Sequence, residues 1–210
     1  LLPSHTSWIS LILGYVNSGD PDVALLLYEN MSHLFAHTNC YVFIALLKAC
    51  GQLNDLERGS ELHAEISRRG LLNEHLILGN TLIGMYIKCG SLSRAKTVFE
   101  KLSMRDVVSW TAIIGAHADS SYLQDALELF EKMQHENVEP NEITIVCVLH
   151  ALANLRDIYQ STLIHHYVAH YGFEMNHHIA STLIDVYGKC GNINEALHVF
   201  DMMPVKNVVA

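Results

Sequence analysis

The sequence predicts an all-α solenoid of stacked helix-turn-helix repeats, and three observations carry that prediction. The stretch from Leu82 to Phe99 returns as Leu183 to Phe200, displaced by 101 residues, with nine identical residues in register. Apolar residues recur at spacings of three and four within segments of 10 to 14 residues, as expected of helices. Only 4 Pro and 12 Gly interrupt the 210 residues. Internal repetition on this scale is typical of an array of small supersecondary units.

The composition excludes several classes of protein. Half of the residues are hydrophobic, which is ample for a core, and the net charge is −9. Up to Asp106 the chain has nine basic and ten acidic residues, whereas the remainder has four and twelve. An acidic balance argues against indiscriminate phosphate binding. The longest near-apolar run, about 143–153, is too short to cross a bilayer, and the opening within repeat-like sequence suggests a fragment boundary.

Cysteine and histidine patterns predict neither a cofactor nor a metal. The five cysteines include no CxxC pair, so we expect reduced thiols packed in the core rather than disulfides or a zinc site. Among 14 histidines the best ligand pair is His166 and His170, adjacent to His165, but no carboxylate or cysteine completes the set. No nucleophile and base constellation is present, so we predict that the chain is not an enzyme.

The 101-residue period divides into three helical hairpins. Ser7-Trp8 matches Ser109-Trp110, and Leu47-Lys-Ala49 matches Leu149-His-Ala151, both displaced by 102 residues. The predicted first helices are roughly 8–17, 42–51, 78–89, 109–118, 144–153 and 180–190. Because neither helix of a hairpin can bury its apolar face alone, neighbouring hairpins must stack. The predicted units are 5–39, 40–75, 76–106, 107–141, 142–176 and 177–207, with a truncated seventh at 208–210.

Charge is unevenly divided between the two helices of each unit. The only carboxylate on the predicted first helices is Asp185, while Lys48, Lys88 and Lys189 project from them. If the first helices line the concave side, that groove carries almost no negative charge despite the acidic total. A polyanion can then lie along it.

Several segments resemble the pentatricopeptide repeat family, specifically its plant PLS type, in which P, L and S motifs alternate. The units of 35, 36 or 35, and 31 residues follow that alternation. The resemblance implies a right-handed α-solenoid with P repeats at 5–39 and 107–141, L repeats at 40–75 and 142–176, and S repeats at 76–106 and 177–207. The segments that carry it are Val107–Ile114, Ala126–Met133, Val138–Asn141, Gly59–Ala64, Met85–Gly90 and Val186–Gly191, together with His165.

The resemblance also implies single-stranded RNA binding in a mitochondrion or chloroplast, one nucleotide per repeat. Bases are chosen by the fifth and last residues of each motif. Asn80 with Asp106 is associated with uracil, and both Thr111 with Asn141 and Ser181 with Asn207 are associated with adenine. Ile9 with Asn39, Ile44 with His75, and Val146 with Asn176 give no defined base, so the expected readout is N-N-U-A-N-A.

Other roles follow from the same resemblance. Ile77, Val108 and Ile143, at the second position, match residues that sandwich bases, and we expect Lys48, Lys88 and Lys189 to contact phosphates. The array is then the recognition part of an RNA editing or processing factor. The rival hypothesis is a protein-interaction scaffold, because L repeats in this family can dock small accessory editing proteins. Asn80, Thr111 and Ser181 also have a plainer interpretation, as tolerated polar residues on a helix surface.

Overall fold

A computed structural model of the protein describes residues 5–31, 40–73, 75–173 and 176–203, and every regular element in these ranges is helical. None of the helices in these ranges has the length and hydropathy needed to cross a bilayer. A 3-10 turn at Leu71–Asn73 precedes α5. The α-helices are α1 His5–Ser18, α2 Pro21–Met31, α3 Cys40–Leu53, α4 Leu56–Arg68, α5 Leu76–Lys88, α6 Leu92–Lys101, α7 Val107–Asp119, α8 Leu123–His135, α9 Glu142–Leu155, α10 Ile158–His170, α11 His177–Lys189 and α12 Ile193–Met202.

The helices fall into two compact units, Leu1–Arg105 and Asp106–Ala210, each holding three hairpins. In the first unit α1 packs on α3 and α3 on α5, while in the second α7 packs on α9 and α9 on α11. Each of these first helices also packs on the second helix of its own hairpin. The first helices therefore form the inner layer of each unit, and the second helices cover it.

Sequence explains why the first helices take the inner layer. Helix α3 carries a single charge, Lys48, and buries eight of its 14 residues, including Phe43 and Leu46. Its partner α4 is amphipathic and buries only Gly59, Leu62 and Ile66. A helix that is apolar on most sides has to be covered on most sides, whereas an amphipathic helix needs one contact and leaves its polar face in water.

The predicted first helices are confirmed, but each begins two or three residues earlier than predicted. At α7, α9 and α11 the added residues follow the helix-capping residues described below. At the observed bounds α7 ends at Asp119 and α9 begins with Glu142. The prediction that Asp185 is the only carboxylate on the first helices was therefore wrong, because three carboxylates lie on them.

Two of the five cysteines stand at the ends of first helices. Cys89 and Cys190 are the C-cap residues of α5 and α11, and each precedes a glycine with positive φ, 68° at Gly90 and 75° at Gly191. A left-handed residue after the C-cap ends a helix, and glycine adopts it without steric cost. All five cysteines are free thiols, and burial raises the pKa of the fully buried Cys50 to about 12.

A histidine and tyrosine pair joins equivalent helices in both units. The Nδ1 atom of His63 on α4 lies 2.8 Å from the hydroxyl of Tyr86 on α5. His165 on α10 and Tyr187 on α11 repeat the contact at 2.9 Å. Burial, reinforced by the positive charges of Lys101 and Arg94, lowers the pKa of His63 below its ordinary value.

This lowered pKa predicts an acid sensitivity of the first unit. In the unfolded chain His63 binds a proton at higher pH than in the folded chain, so the free energy of unfolding falls as pH decreases from above 6.5 through the folded pKa. Urea unfolding of the wild type and of His63→Gln between pH 7.5 and 5 should show a smaller loss in the variant. Parallel pH profiles for the two proteins would contradict this expectation.

Two isoleucines on α9 test the layer arrangement. Ile145 is 0% exposed and Ile143 is 62% exposed, two residues apart on one helix. Ile145→Ala should reduce the free energy of unfolding by about 2–5 kcal/mol, because it leaves a cavity, and Ile143→Ala by about 0.5 kcal/mol or less. Denaturant unfolding of both variants measures the difference. Equal losses would show that the inner layer is wrongly placed.

Candidate nucleic-acid interface

Three equivalent positions on first helices expose large aliphatic side chains. Ile77 on α5, Val108 on α7 and Ile143 on α9 are each the second residue of their helix, and they are 65%, 55% and 62% exposed. Their exposure excludes a role in the cores of the two units. The same helix position therefore exposes a large aliphatic side chain on three first helices.

The predicted base-selecting residues at the fifth position lie on the same helix faces. Asn80 and Thr111 follow Ile77 and Val108 by three residues, a spacing that places side chains next to each other on a helix. Both are half-buried, while Ser181 on α11 is exposed and its Oγ lies 3.5 Å from Nδ1 of His177. The faces of α5 and α7 therefore combine an aliphatic side chain with a polar one, whereas α9 pairs Ile143 with Val146 and α11 pairs His178 with Ser181.

Three of the predicted residues at the last position of a repeat cap the next helix. The Asp106 carboxylate accepts the backbone N–H of Ser109 at 2.9 Å, and the Asn141 amide oxygen accepts that of Thr144 at 2.9 Å. Asn176 accepts two backbone N–H groups at the start of α11. Asp and Asn are favoured N-caps, so this role was readable from the sequence, although the sequence analysis missed it.

The remaining positions of this class differ. His75 stands at the N-cap of α5 and makes no side-chain capping bond. Asn39 and Asn207, which the resemblance also implies as base-selecting residues, lie outside the described residues.

A hydroxyl links the two predicted base-selecting residues of the fourth unit. The Oγ1 atom of Thr144 lies 2.6 Å from Oγ1 of Thr111 and 2.9 Å from Oδ1 of Asn141. Thr144 is fully buried, and its Oγ1 also accepts the backbone N–H of Asn141 at 3.3 Å. The spacing Asn141-x-x-Thr144 is a capping-box pattern, but the contact with Thr111 spans 33 residues and has no local sequence signal.

The three predicted phosphate-contacting lysines are exposed, and one is already paired. The Nζ atom of Lys189 lies 2.7 Å from a carboxylate oxygen of Asp185, one helical turn away. Within the described ranges, Lys48 and Lys88 form no ion pair. Lys88 packs its aliphatic stem close to Gly51. The first unit thus offers two unpaired ammonium groups.

Among the residues that the structure describes, the histidines of the second unit are not arranged as a metal site. In the part of the chain that the structure describes, no group of three or more His, Cys, Asp or Glu residues is arranged to hold a metal ion. His165, His166 and His198 line one cavity between α10 and α12, and the ring of His165 is engaged by the hydroxyl of Tyr187.

A groove separates the second helices of the first two hairpins in each unit. In the second unit it lies between α8 and α10, with α9 beneath, and is lined largely by apolar side chains such as Phe130, Leu163 and Tyr167. In the first unit the equivalent groove between α2 and α4 has more charged lining residues, Glu29, Arg58, Glu61 and Glu65, against Glu131 alone in the second unit. There Arg58 and Glu29 form an ion pair at 2.7 Å across the groove.

The capping role makes the last position testable apart from any ligand. Asn141→Ala should lower the free energy of unfolding by about 1 kcal/mol, because α9 loses its N-cap acceptor. Asn141→Asp should stay within about 0.5 kcal/mol, because a carboxylate accepts the same N–H bond. Thermal and denaturant unfolding compare the two. Loss of stability in Asn141→Asp equal to that of Asn141→Ala would contradict the assigned cap.

Comparison with protein-family models gives one consistent result. A model described as a PPR repeat matches residues 6–34, 41–71, 80–107 and 179–208, and a model described as a PPR repeat family matches residues 105–154. Together they cover more than half of the chain.

Similar sequences include several pentatricopeptide repeat-containing proteins of Arabidopsis thaliana. One is 36% identical over 209 residues, which is 99% of this chain and 30% of the relative. A chloroplastic protein is 35% identical, and the match covers 97% of this chain and 33% of that protein. A mitochondrial protein is 32% identical, and the match covers 97% of this chain and 20% of that protein. The chain thus spans a third or less of these relatives.

Similar solved structures confirm the predicted fold class. The crystal structure of the pentatricopeptide repeat protein PPR10 in complex with an 18-nt psaJ RNA element gives a TM-score of 0.77 at 17% identity, over 96% of this chain and 30% of that one. PPR10 from maize gives a TM-score of 0.52 at 19% identity, over 96% of this chain and 34% of that one. The all-α solenoid predicted from the sequence is the fold of these proteins.

Proposed function

The chain belongs to the pentatricopeptide repeat family, and from that premise we propose that it binds single-stranded RNA base-selectively, one nucleotide per repeat. The observation that carries the proposal is the exposed aliphatic residue next to a polar residue on successive first helices, Ile77 with Asn80 and Val108 with Thr111. The repeats are P at 5–39 and 107–141, L at 40–75 and 142–176, and S at 76–106 and 177–207, in a single PLS array.

The chemistry of these faces suits an unpaired base. A base has two apolar faces and a polar edge, and proteins that read single-stranded RNA contact both. In the proposed mode Ile77, Val108 and Ile143 cover the faces of successive bases. The fifth and last residues of each repeat then meet the base edge with hydroxyl, amide or carboxylate groups.

The proposed readout is N-N-U-A-N-A. Asn80 with Asp106 selects uracil in the third repeat, Thr111 with Asn141 selects adenine in the fourth, and Ser181 with Asn207 selects adenine in the sixth. Repeats one and five, closed by Asn39 and Asn176, read no defined base, because Ile9 and Val146 stand at their fifth positions. An aliphatic side chain offers no hydrogen bond to a base edge.

Few cations support this interface, so base contacts must supply most of the affinity. Lys48 and Lys88 are exposed and can meet phosphates, whereas Lys189 would first have to leave Asp185. Counterion release scales with the number of phosphates neutralised, so binding should depend weakly on salt. The net charge of −9 also disfavours sequence-independent binding.

The wider role that we propose is recognition within an organellar RNA editing or processing factor. PPR10 binds an RNA element in its crystal structure, and relatives of this chain are chloroplastic or mitochondrial proteins. The array would recognise the target RNA sequence, and another domain or protein would catalyse the reaction.

A scaffold for accessory editing proteins is the second candidate, and one observation favours it. The groove between α8 and α10 has a single charged lining residue, Glu131, where the equivalent groove of the first unit has four. Leu163 and Tyr159 on α10 are 45% and 68% exposed beside it. In this role the L repeat at 142–176 docks a partner through its second helix, which leaves the first helices available to RNA.

A change of base preference tests the proposed reading. Thr111→Asn combined with Asn141→Asp recreates the pair found at Asn80 and Asp106, so preference at the fourth nucleotide should shift from adenine towards uracil by about tenfold. Fluorescence anisotropy with N-N-U-A-N-A and N-N-U-U-N-A RNAs at physiological salt measures it. The wild-type preference at the third nucleotide serves as the internal control.

The remaining outcomes separate the two candidate functions. Selective wild-type binding with no shift in the double variant would overturn the base assignment. Equal and negligible retention of the N-N-U-A-N-A RNA and of a scrambled RNA would overturn RNA recognition by this chain and favour the scaffold.

A further inference from the structure

We infer that Thr144, a residue of the fifth repeat, determines the base specificity of the fourth. Its buried hydroxyl holds Thr111 as a hydrogen-bond acceptor, beside the donor of Asn141, which the Thr144 backbone N–H orients. This repeat therefore accepts a base with an amino group at purine C6 or pyrimidine C4 and rejects a base with a keto oxygen at that position. The inference rests on the proposed function and identifies the group that sets the direction of its hydrogen bonds.

The backbone fixes the orientation of the Asn141 amide. The N–H of Thr144 lies 2.9 Å from one terminal atom of the Asn141 side chain, and a backbone N–H can only donate. That terminal atom is therefore the oxygen, Oδ1, and the NH₂ group occupies the other position. The donor of Asn141 is thus left for a ligand.

The protons of the two hydroxyl groups follow from that orientation. Oδ1 of Asn141 only accepts, so Thr144 at 2.9 Å donates its single hydroxyl proton to it. Thr111, 2.6 Å from the same hydroxyl, must then donate its own proton to Thr144. The hydroxyl of Thr111 has no second proton, so its remaining capacity is as an acceptor.

An acceptor beside a donor complements only some bases. The Watson–Crick edge of adenine presents an amino donor and a ring nitrogen acceptor, and that of cytosine presents the same neighbouring pair. Guanine and uracil place a keto oxygen where the amino group would be and a ring N–H beside it. A keto oxygen opposite the acceptor of Thr111 leaves two acceptors facing each other, which is repulsive and leaves both unsatisfied.

Burial makes this proton arrangement durable. Thr144 is fully buried and Thr111 is half-buried, so water competes poorly for the shared protons. Without the Thr144 hydroxyl, Thr111 regains a rotatable proton and can donate to a keto oxygen as readily as it accepts from an amino group.

Other described repeat junctions lack this link. The residues equivalent to Thr144 are Val42, Leu78 and Ile179, which have no hydroxyl, and Ser109. The Ser109 hydroxyl is used by the backbone of Asp106, accepting from its N–H at 3.0 Å and donating to its carbonyl at 2.9 Å. The proton relay is therefore a property of the fourth repeat.

The test compares Thr144→Val, Thr144→Ala and Thr144→Ser in the full 210-residue chain. Each binds four RNAs that differ only at the fourth nucleotide, and thermal unfolding verifies that each variant is folded. The wild type should prefer adenine and cytosine over guanine and uracil by about tenfold, and Thr144→Ser should retain that ratio. In Thr144→Val and Thr144→Ala the ratio should fall to about twofold or less, because no hydroxyl holds Thr111 as an acceptor.

The third nucleotide distinguishes positioning from general damage. Preference for uracil there, measured with a second set of RNAs that differ only at the third nucleotide, should be unchanged in all variants, whereas a purely structural role for Thr144 would weaken binding to every RNA alike. An unchanged ratio at the fourth nucleotide in a folded Thr144→Val or Thr144→Ala protein overturns this inference and leaves the proposed function standing. Absence of wild-type binding to all four RNAs overturns the proposed function itself, and the inference with it.

Discussion

The structure depends on one constraint: the first helix of each hairpin is apolar on most of its surface and cannot stay in water alone. Helix α3 is covered by α1, α4 and α5, and α9 by α7, α8, α10 and α11. Against that background the exposure of Ile77, Val108 and Ile143 is informative, because it runs counter to what the rest of these helices do.

Much of the fold could be predicted from the sequence, because each repeat has a similar apolar pattern and buries it in the same way. The displacement of 101 residues placed the hairpins, and apolar spacing located the helices to within three residues. The helix starts were missed since apolar spacing does not show which residue caps α7, α9 and α11. Asp106, Asn141 and Asn176 supplied that signal through their preference for N-caps.

The candidate site was less predictable. The pairing of Lys189 with Asp185 was within reach, because the residues are four apart on one helix. The contact between Thr111 and Thr144 was not, since it joins two helices and depends on how closely α7 and α9 pack. Positions such as Asn80 and Ser181 could be named from the repeat register alone, but the hydrogen bonds they offer depend on neighbours that the register does not specify.

Asp106 and Asn141 must meet two requirements, helix capping and, in the proposed mode, base contact. In the proposed mode the same side chain caps one helix and contacts the base of the preceding repeat. The residue types that can select a base at this position are therefore restricted to those that can cap a helix. Aspartate, asparagine, serine and threonine satisfy both demands, whereas bulky or cationic side chains do not. Evolutionary changes of base preference at these positions are thereby limited to a few small polar residues. His75 makes no capping bond through its side chain, so its position is not subject to that limit.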